Sequence, residues 1–161
     1  MEKSNEIHVF IDGSVEPISK IGYGASLLTA SLNEPIETLK SRIDIKCFEN
    51  TSSTKLEIQT LLRALERVNS HTEKVKIYTD SQNISKLLNR KERLQKNNFK
   101  TKQNKLIKNS SLYQQFYVFA DRFNIEIIKI KGHKQTNLKQ KTDHIFTLVD
   151  RASRKALRGN I

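Results

Sequence analysis

Several things are scarce in this chain of 161 residues. A single cysteine, Cys47, excludes a disulfide framework and a cysteine-rich zinc centre, which fits a reducing compartment. No apolar run approaches the ~20 residues that span a bilayer, and the opening MEKSNEIH carries no apolar signal core. The sequence therefore reads as a soluble, cytoplasmic protein. Internal repeats and interdomain linkers are missing too, so residues 1–161 are expected to form one domain around one core. Tryptophan is absent. Acids are the rarer charge, 17 Asp and Glu against 29 Lys and Arg, and the net +12 exceeds what solubility asks for. A polyanion is the natural partner. Nucleic acid leads, because no basic amphipathic helix with bulky apolar anchors favours a membrane surface.

What is present begins with IHVFIDGS, Ile7 to Ser14. Ile7, Val9 and Ile11 alternate with His8 and Phe10, and both sets are largely apolar, which reads as a strand buried on both faces at the centre of a sheet. It ends in a carboxylate, Asp12, which is costly to bury unless something cationic meets it. GYGASLLTA follows as a second strand, and Ile36 to Phe48, after the turn at Asn33-Glu34-Pro35, as a third. Three strands on short turns make an antiparallel meander. The polar NTSST feeds a helix in which Leu61, Ala64, Leu65 and Val68 keep helical spacing, with Glu57 on the same stripe. Favourable contact with the helix dipole explains an acid this early in the helix but not its direction.

VKIYTD is a further strand ending in a carboxylate, Asp80, and the chain is helical from Ser81. Capping by Asp80 or Ser81 is the plain alternative to a functional role there. From Arg90 to Lys108 the chain is basic, with Arg90, Lys91, Arg93, Lys96, Lys100, Lys102 and Lys105 against the single acid Glu92, and Phe99 among them. An aromatic among cations suits a protrusion lying along a phosphate backbone. Ser110 to Phe123 reads as a helix with Leu112, Phe116, Phe119, Ala120 and Phe123 inward, Ile125 to Ile130 as a strand, and Asp143 to Arg158 as the last helix, burying Ile145, Leu148, Val149, Ala152 and Ala156. The order is that of a mixed α/β sheet covered by helices. Cys47, His8, His71 and His144 read as structural or exposed, and Lys55 and Arg63 as solvated.

If the two most apolar strands are parallel neighbours, Asp12 and Asp80 share one edge of the sheet, Glu57 opens the helix between them, and Asp150 approaches from the last helix. Four acids together would repel by several kcal/mol in a partly dry site unless divalent cations lay between them. All-oxygen ligation, with no cysteine and no paired histidine, selects Mg²⁺ or Mn²⁺ over Zn²⁺.

The stretches IDGS, LEIQTLLRAL, YTDSQ, NSSLYQQF, KGH and VDRASRKAL, in this order and spacing, resemble the ribonuclease H type 1 proteins of the ribonuclease H-like fold over nearly the whole chain. The resemblance implies a five-stranded mixed sheet, a three-strand antiparallel meander plus two parallel strands, flanked by helices. It implies an endoribonuclease that hydrolyses the RNA strand of RNA–DNA hybrids with two Mg²⁺ ions, Mn²⁺ being a possible substitute. By resemblance Asp12, Glu57, Asp80 and Asp150 are the metal ligands, Asp12 bridging both ions, and His133 is the histidine near the site. Ser52, Ser53, Thr54 and Gln82 match positions used along the hybrid's minor groove and phosphates, and Arg90 to Lys108 matches the basic protrusion. The expected partner is the hybrid, with non-specific binding of other duplexes, no membrane, and a monomeric state. Two departures stand out: Phe99 where the family usually has Trp, and a longer gap before Asp150, with Thr136 to Thr142 as the inserted stretch. The gap makes Asp143 a competitor for the fourth ligand; VDRASRKAL favours Asp150, and Asp143 looks like a helix-start acid. The alternatives are a DNA-cleaving nuclease of the same fold, transposase- or resolvase-like, and a non-catalytic hybrid-binding module, which would usually lack an acid.

Overall fold

Val9, Phe10 and Ile11 are consecutive and all buried, so the strand carrying them must be covered on both faces. In the computed structural model, which describes residues 5–131 and 140–159, that strand is β1 (Glu6–Glu16), the centre of a sheet in the order β3-β2-β1-β4-β5. β2 (Ile21–Thr29) and β3 (Asp44–Phe48) run antiparallel as a meander; β4 (Lys74–Thr79) and β5 (Asn124–Lys129) run parallel on the other side.

The segment expected as one long third strand divides. Ile36–Ser41 is a short helix, α1, and only Asp44 onward pairs with β2. Pro35, at φ −57°, precedes the first helical turn, where a missing N–H costs nothing, and Leu39 turns inward to 1% exposure. Sealing the core with one leucine on a helical turn replaced continued pairing.

Two apolar layers flank the sheet. On one face α2 (Ser53–Glu66) and α5 (Ser110–Arg122) pack over Val9, Ile11, Val75 and Ile77. On the other, α6 (Lys141–Gly159) covers Phe10, Ala25 and Leu27 with Ile145, Phe146 and Val149. The α5 stripe is turned from the expected one: Tyr113, Phe116 and Tyr117 are buried, while Leu112, Phe119 and Ala120 lie at the margin. Tyrosines are tolerated inside because their hydroxyls are bonded. Tyr117 donates to the Leu87 carbonyl at 2.8 Å, and Asn83 Nδ2 donates to the Tyr113 hydroxyl at 3.1 Å. Arg63 is not merely solvated: its guanidinium grips Asp44 through Nε at 2.6 Å and Nη2 at 3.1 Å, tying α2 to the edge strand.

After the short α3 (Gln82–Ser85), the basic segment forms most of α4 (Leu87–Lys96) and a tight return closed by the Lys100–Leu106 bridge. Phe99 does not face outward. It is 9% exposed, at φ 57°, with its ring 6.1 Å from that of Tyr117, so it anchors the protrusion to the core rather than stacking on a ligand. An apolar ring with a core to reach buries itself in preference to standing among cations in water. His133 and Thr136 lie outside the described residues. No helix among the described residues is long and apolar enough to cross a membrane.

The close seat of α2 depends on glycine. A Cβ at Gly24 would stand 2.1 Å from Thr60 Oγ1 and 3.0 Å from its Cβ. Gly24→Ala should therefore lower stability by about 1–3 kcal/mol, as overpacking does, and Thr60→Ala on that background should restore part of it. Thermal denaturation of the three variants reads both effects; an unchanged midpoint for Gly24→Ala would show that α2 is not held this tightly.

Candidate active site

Three elements converge on one end of the sheet. The parallel register pairs Phe10 with Tyr78, and their rings stack at 4.3 Å on the α6 face. Two residues further along each strand, at the same parity, come Asp12 and Asp80. α6 brings the third acid. Ser153, fully buried one turn beyond Asp150, meets Ser14 Oγ at 2.9 Å, which sets the helix alongside the end of β1. That places the Asp150 carboxyl group near enough to Asp12 to raise the Asp12 pKa. Glu57 arrives from the opposite face, where Gly13 and Gly22 let Leu56 approach β1 and β2 at distances no Cβ would permit.

Ser81 resolves the capping question. Its hydroxyl accepts from Ile84 N at 3.1 Å as the N-cap of α3, and it donates to Glu57 Oε2. Asp80 is therefore left free of capping, and a narrow cleft lined by Ile11, Asp12, Glu57, Thr60, Thr79 and Asp80 separates α2 from the strand ends. Asp143 is buried elsewhere in the role of a helix-start acid, its Oδ2 accepting from Gln140 N at 2.8 Å.

Crowding shows in the acidities. Burial, then the hydrogen bond to Asp150 and the charges of Asp80 and Asp150, push the Asp12 carboxyl from 3.8 up to about 9. Burial also raises Glu57, with the Ser81 hydroxyl opposing and Asp80 adding, and it raises Asp80, with Asp150 adding and Arg154 and Lys129 opposing. The site has too little positive charge of its own. Arg154 Nε, 3.0 Å from Asp150 Oδ1, is the ion pair that Asp150 makes. The donor set is all carboxylate, hard and anionic, which suits a hard divalent cation. Among the described residues no three His, Cys, Asp or Glu side chains stand in a ligating array.

The remaining expected residues spread around this centre. Ser52 is the N-cap of α2, accepting from Lys55 N at 3.2 Å, with Ser53 and Thr54 exposed in the first turn. Beside it is an open depression lined by Lys20, Asn50, Thr51, Ser52, Lys55, Lys108 and Asn109. Asn50 opens the NTSST stretch, whereas Lys20 had no sequence signal and enters through a contact between two turns, Thr51 N donating to the Lys20 carbonyl at 2.9 Å. Gln82 is exposed next to Asp80. Arg93, Lys100 and Lys102 line a concavity of the protrusion, and Lys96 is exposed at the end of α4. Arg90 lines the same concavity and also donates to Asn83 Oδ1 at 3.0 Å and lies over the Tyr113 ring, while Lys91 pairs with Asp121.

With this geometry in hand, the sequence profile of the RNase H family matches residues 4–154. The chain belongs to the RNase H family. It is 32% identical over 99 residues to a ribonuclease H of Caldicellulosiruptor saccharolyticus, covering 60% of this chain and 68% of the relative. A ribonuclease H of Chlorobium phaeobacteroides (strain BS1) is 24% identical over 146 residues, 88% of this chain and 93% of the relative. Among solved structures, the foamy viral protease-reverse transcriptase in complex with dsDNA superposes with a TM-score of 0.61 over 92% of each chain at 15% identity, a likeness of fold. This RNase H family chain is accordingly a hydrolase of the ribonuclease H type.

Because folded Asp12 keeps its proton between pH 3.8 and about 9, where the unfolded chain has lost it, its contribution to stability falls as pH rises through that window. Asp12→Asn should therefore melt above the parent at pH 7 in EDTA, by about 2–4 °C per kcal/mol of repulsion relieved, and the gap should close towards pH 4. A variant that melts at or below the parent at pH 7 would contradict this crowding.

Proposed function

We propose that this ribonuclease H hydrolyses the RNA strand of RNA–DNA hybrids endonucleolytically at the cleft between β1, β4, α2 and α6. The observation that carries the reading is the convergence of Asp12, Glu57, Asp80 and Asp150 at one end of the sheet, with Asp12 driven to about 9 by burial and its neighbours. Those four carboxylates would hold two Mg²⁺ ions, or Mn²⁺ in their place, and the ions supply activation of water and charge stabilisation at the departing oxygen.

The chain's own groups do the rest. Attack of a water oxygen on phosphorus breaks the P–O3′ bond and leaves a 5′-phosphate and a 3′-hydroxyl. Ser81 holds Glu57 in place, and the Ser14–Ser153 contact holds Asp150 against Asp12. His133, by the acid–base chemistry of an imidazole, is suited to moving a proton at the product phosphate. The lysine-lined depression at the start of α2, with the exposed Ser53 and Thr54, suits phosphates and sugar edges, and recognition of the 2′-hydroxyl by Glu57 and this loop separates RNA from DNA. Contacts of this kind position a duplex without reading its sequence. The protrusion adds cations along the backbone through Arg93, Lys96, Lys100 and Lys102, and binding does not call for a second subunit.

Labelled RNA–DNA hybrid, duplex DNA and duplex RNA are incubated with the protein in Mg²⁺ and in EDTA. Cleavage of the hybrid's RNA strand alone, abolished by EDTA, is expected, and equal cleavage of duplex DNA would move the protein to the DNA-cutting branch of the fold. Asp80→Asn should lose at least about 100-fold in rate under saturating Mg²⁺, the scale on which removal of a transition-state interaction acts; cleavage at the parent rate would sink the ligand assignment. Arg93→Gln with Lys96→Gln and Lys100→Gln should flatten the salt dependence of hybrid binding, the slope falling by about one for each phosphate left unneutralised, and an unchanged slope would remove the protrusion from the interface.

A further inference from the structure

α6 is polarised in a way the carboxylate site does not require. Beyond Asp150, its exposed positions are Arg151, Arg154, Lys155 and Arg158, and no acid follows in the helix. At 3.6 residues per turn these four positions fall within an arc of about 100° that begins just beside Asp150. Other outward helical faces on this chain are mixed, with Glu66 on α2, Glu92 on α4 and Asp121 on α5. Complementing the helix dipole accounts for a cation in the last turn, at Arg158, but not for Lys155 one turn earlier or Arg151 two turns earlier. Among the described residues no carboxylate pairs with Arg151, Lys155 or Arg158, so a solvated network of ion pairs does not explain them.

Position matters as much as charge. Asp12 meets Asp150 and Ser14 meets Ser153, so α6 advances with β1 past the carboxylates and carries its cations beyond them. It does so on the face of the sheet opposite to α2, α5 and the protrusion, whose buried Leu94 and Phe99 belong to the other core layer. The carboxylates thus lie between two basic surfaces.

We propose that the face of α6 formed by Arg151, Arg154, Lys155 and Arg158 is a second nucleic-acid contact surface, which takes backbone phosphates of the substrate where it leaves the carboxylates on the side away from the protrusion. The assignment rests on the hybrid-cleaving reading above. Arg154 forms the inner end of the surface, shared between Asp150 and the strand, and Arg151, Lys155 and Arg158 follow the backbone outward.

The test is binding of a fluorescein-labelled RNA–DNA hybrid two helical turns long, by anisotropy in EDTA across a salt series. Arg151→Gln with Lys155→Gln should lower the slope of log affinity against log salt by about two, one per phosphate, with a matching loss of affinity at low salt. Lys40→Gln with Lys46→Gln removes equal charge from exposed positions on α1 and β3 and should leave the slope unchanged. The charge-keeping swap Arg151→Lys with Lys155→Arg should retain the parent slope. An unaltered slope in the first variant, an equal fall in the control pair, or a fall in the swap would each overturn the proposal. Cleavage of the same hybrid by the parent in Mg²⁺ keeps the two ideas apart. A parent that neither binds nor cuts defeats the hybrid reading, whereas a parent that does both beside an unaltered variant defeats the α6 surface alone.

Discussion

Repulsion among carboxylates is the interaction that the rest of this molecule is arranged to withstand. Asp12 and Asp80 at the ends of adjacent parallel strands, Asp150 in contact with Asp12, and Glu57 across the cleft would separate if only solvent lay around them. Each is held by packing that has no charge. Phe10 stacked on Tyr78 fixes the two strand ends, three glycines under Leu56 and Thr60 let α2 come down over the sheet, and buried Ser153 with half-buried Ser14 holds α6 to β1. These contacts make the cluster possible at a cost in stability that a dication would offset, which is the usual relation between a functional centre and the scaffold that carries it.

Around that acidic centre the chain is strongly basic, and the distribution has a purpose that net charge alone does not express. Positive groups sit on the protrusion, in the depression beside Ser52 and along α6, while the cleft keeps its negative character with Arg154 and Lys129 at its rim. On the hybrid-cleaving reading, a polyanion would be drawn to the rims and its backbone carried to the carboxylates, where attraction would become repulsion unless metal ions intervened. Long-range attraction of this kind raises encounter rates and weakens steeply with salt.

The protrusion illustrates how a flexible-looking basic sequence becomes a fixed element. Phe99 and Leu94 are pinned in the α2–α5 core, Lys91 pairs with Asp121, and Arg90 is spent on Asn83 and Tyr113. Only part of the charge is therefore available to a ligand. Arg93, Lys96, Lys100 and Lys102 stay outward on this anchored element.

Much of this was legible in the residues themselves. The doubly apolar run of β1, the acids closing β1 and β4, and the helical spacing after NTSST each reflect a local periodicity, and periodicity survives in one dimension because neighbours in sequence determine it. The IDGS, YTDSQ and VDRASRKAL motifs named the candidate site residues through their resemblance to a family rather than through periodicity. What the one-dimensional reading missed depended on partners distant in the chain. Leu39 needed the apolar cluster on the α6 face to bury itself from a helical turn, and Phe99 needed Tyr117 to prefer the core over a ligand. Tyr113 and Tyr117 needed Asn83 and the Leu87 carbonyl before their hydroxyls could be buried. By itself, then, the sequence determined which residue types close the central strands and how the chain is charged, since both are written locally. Only the tertiary structure decided that Asp150 rather than Asp143 meets Asp12, because burial and hydrogen bonding are properties of the space between elements.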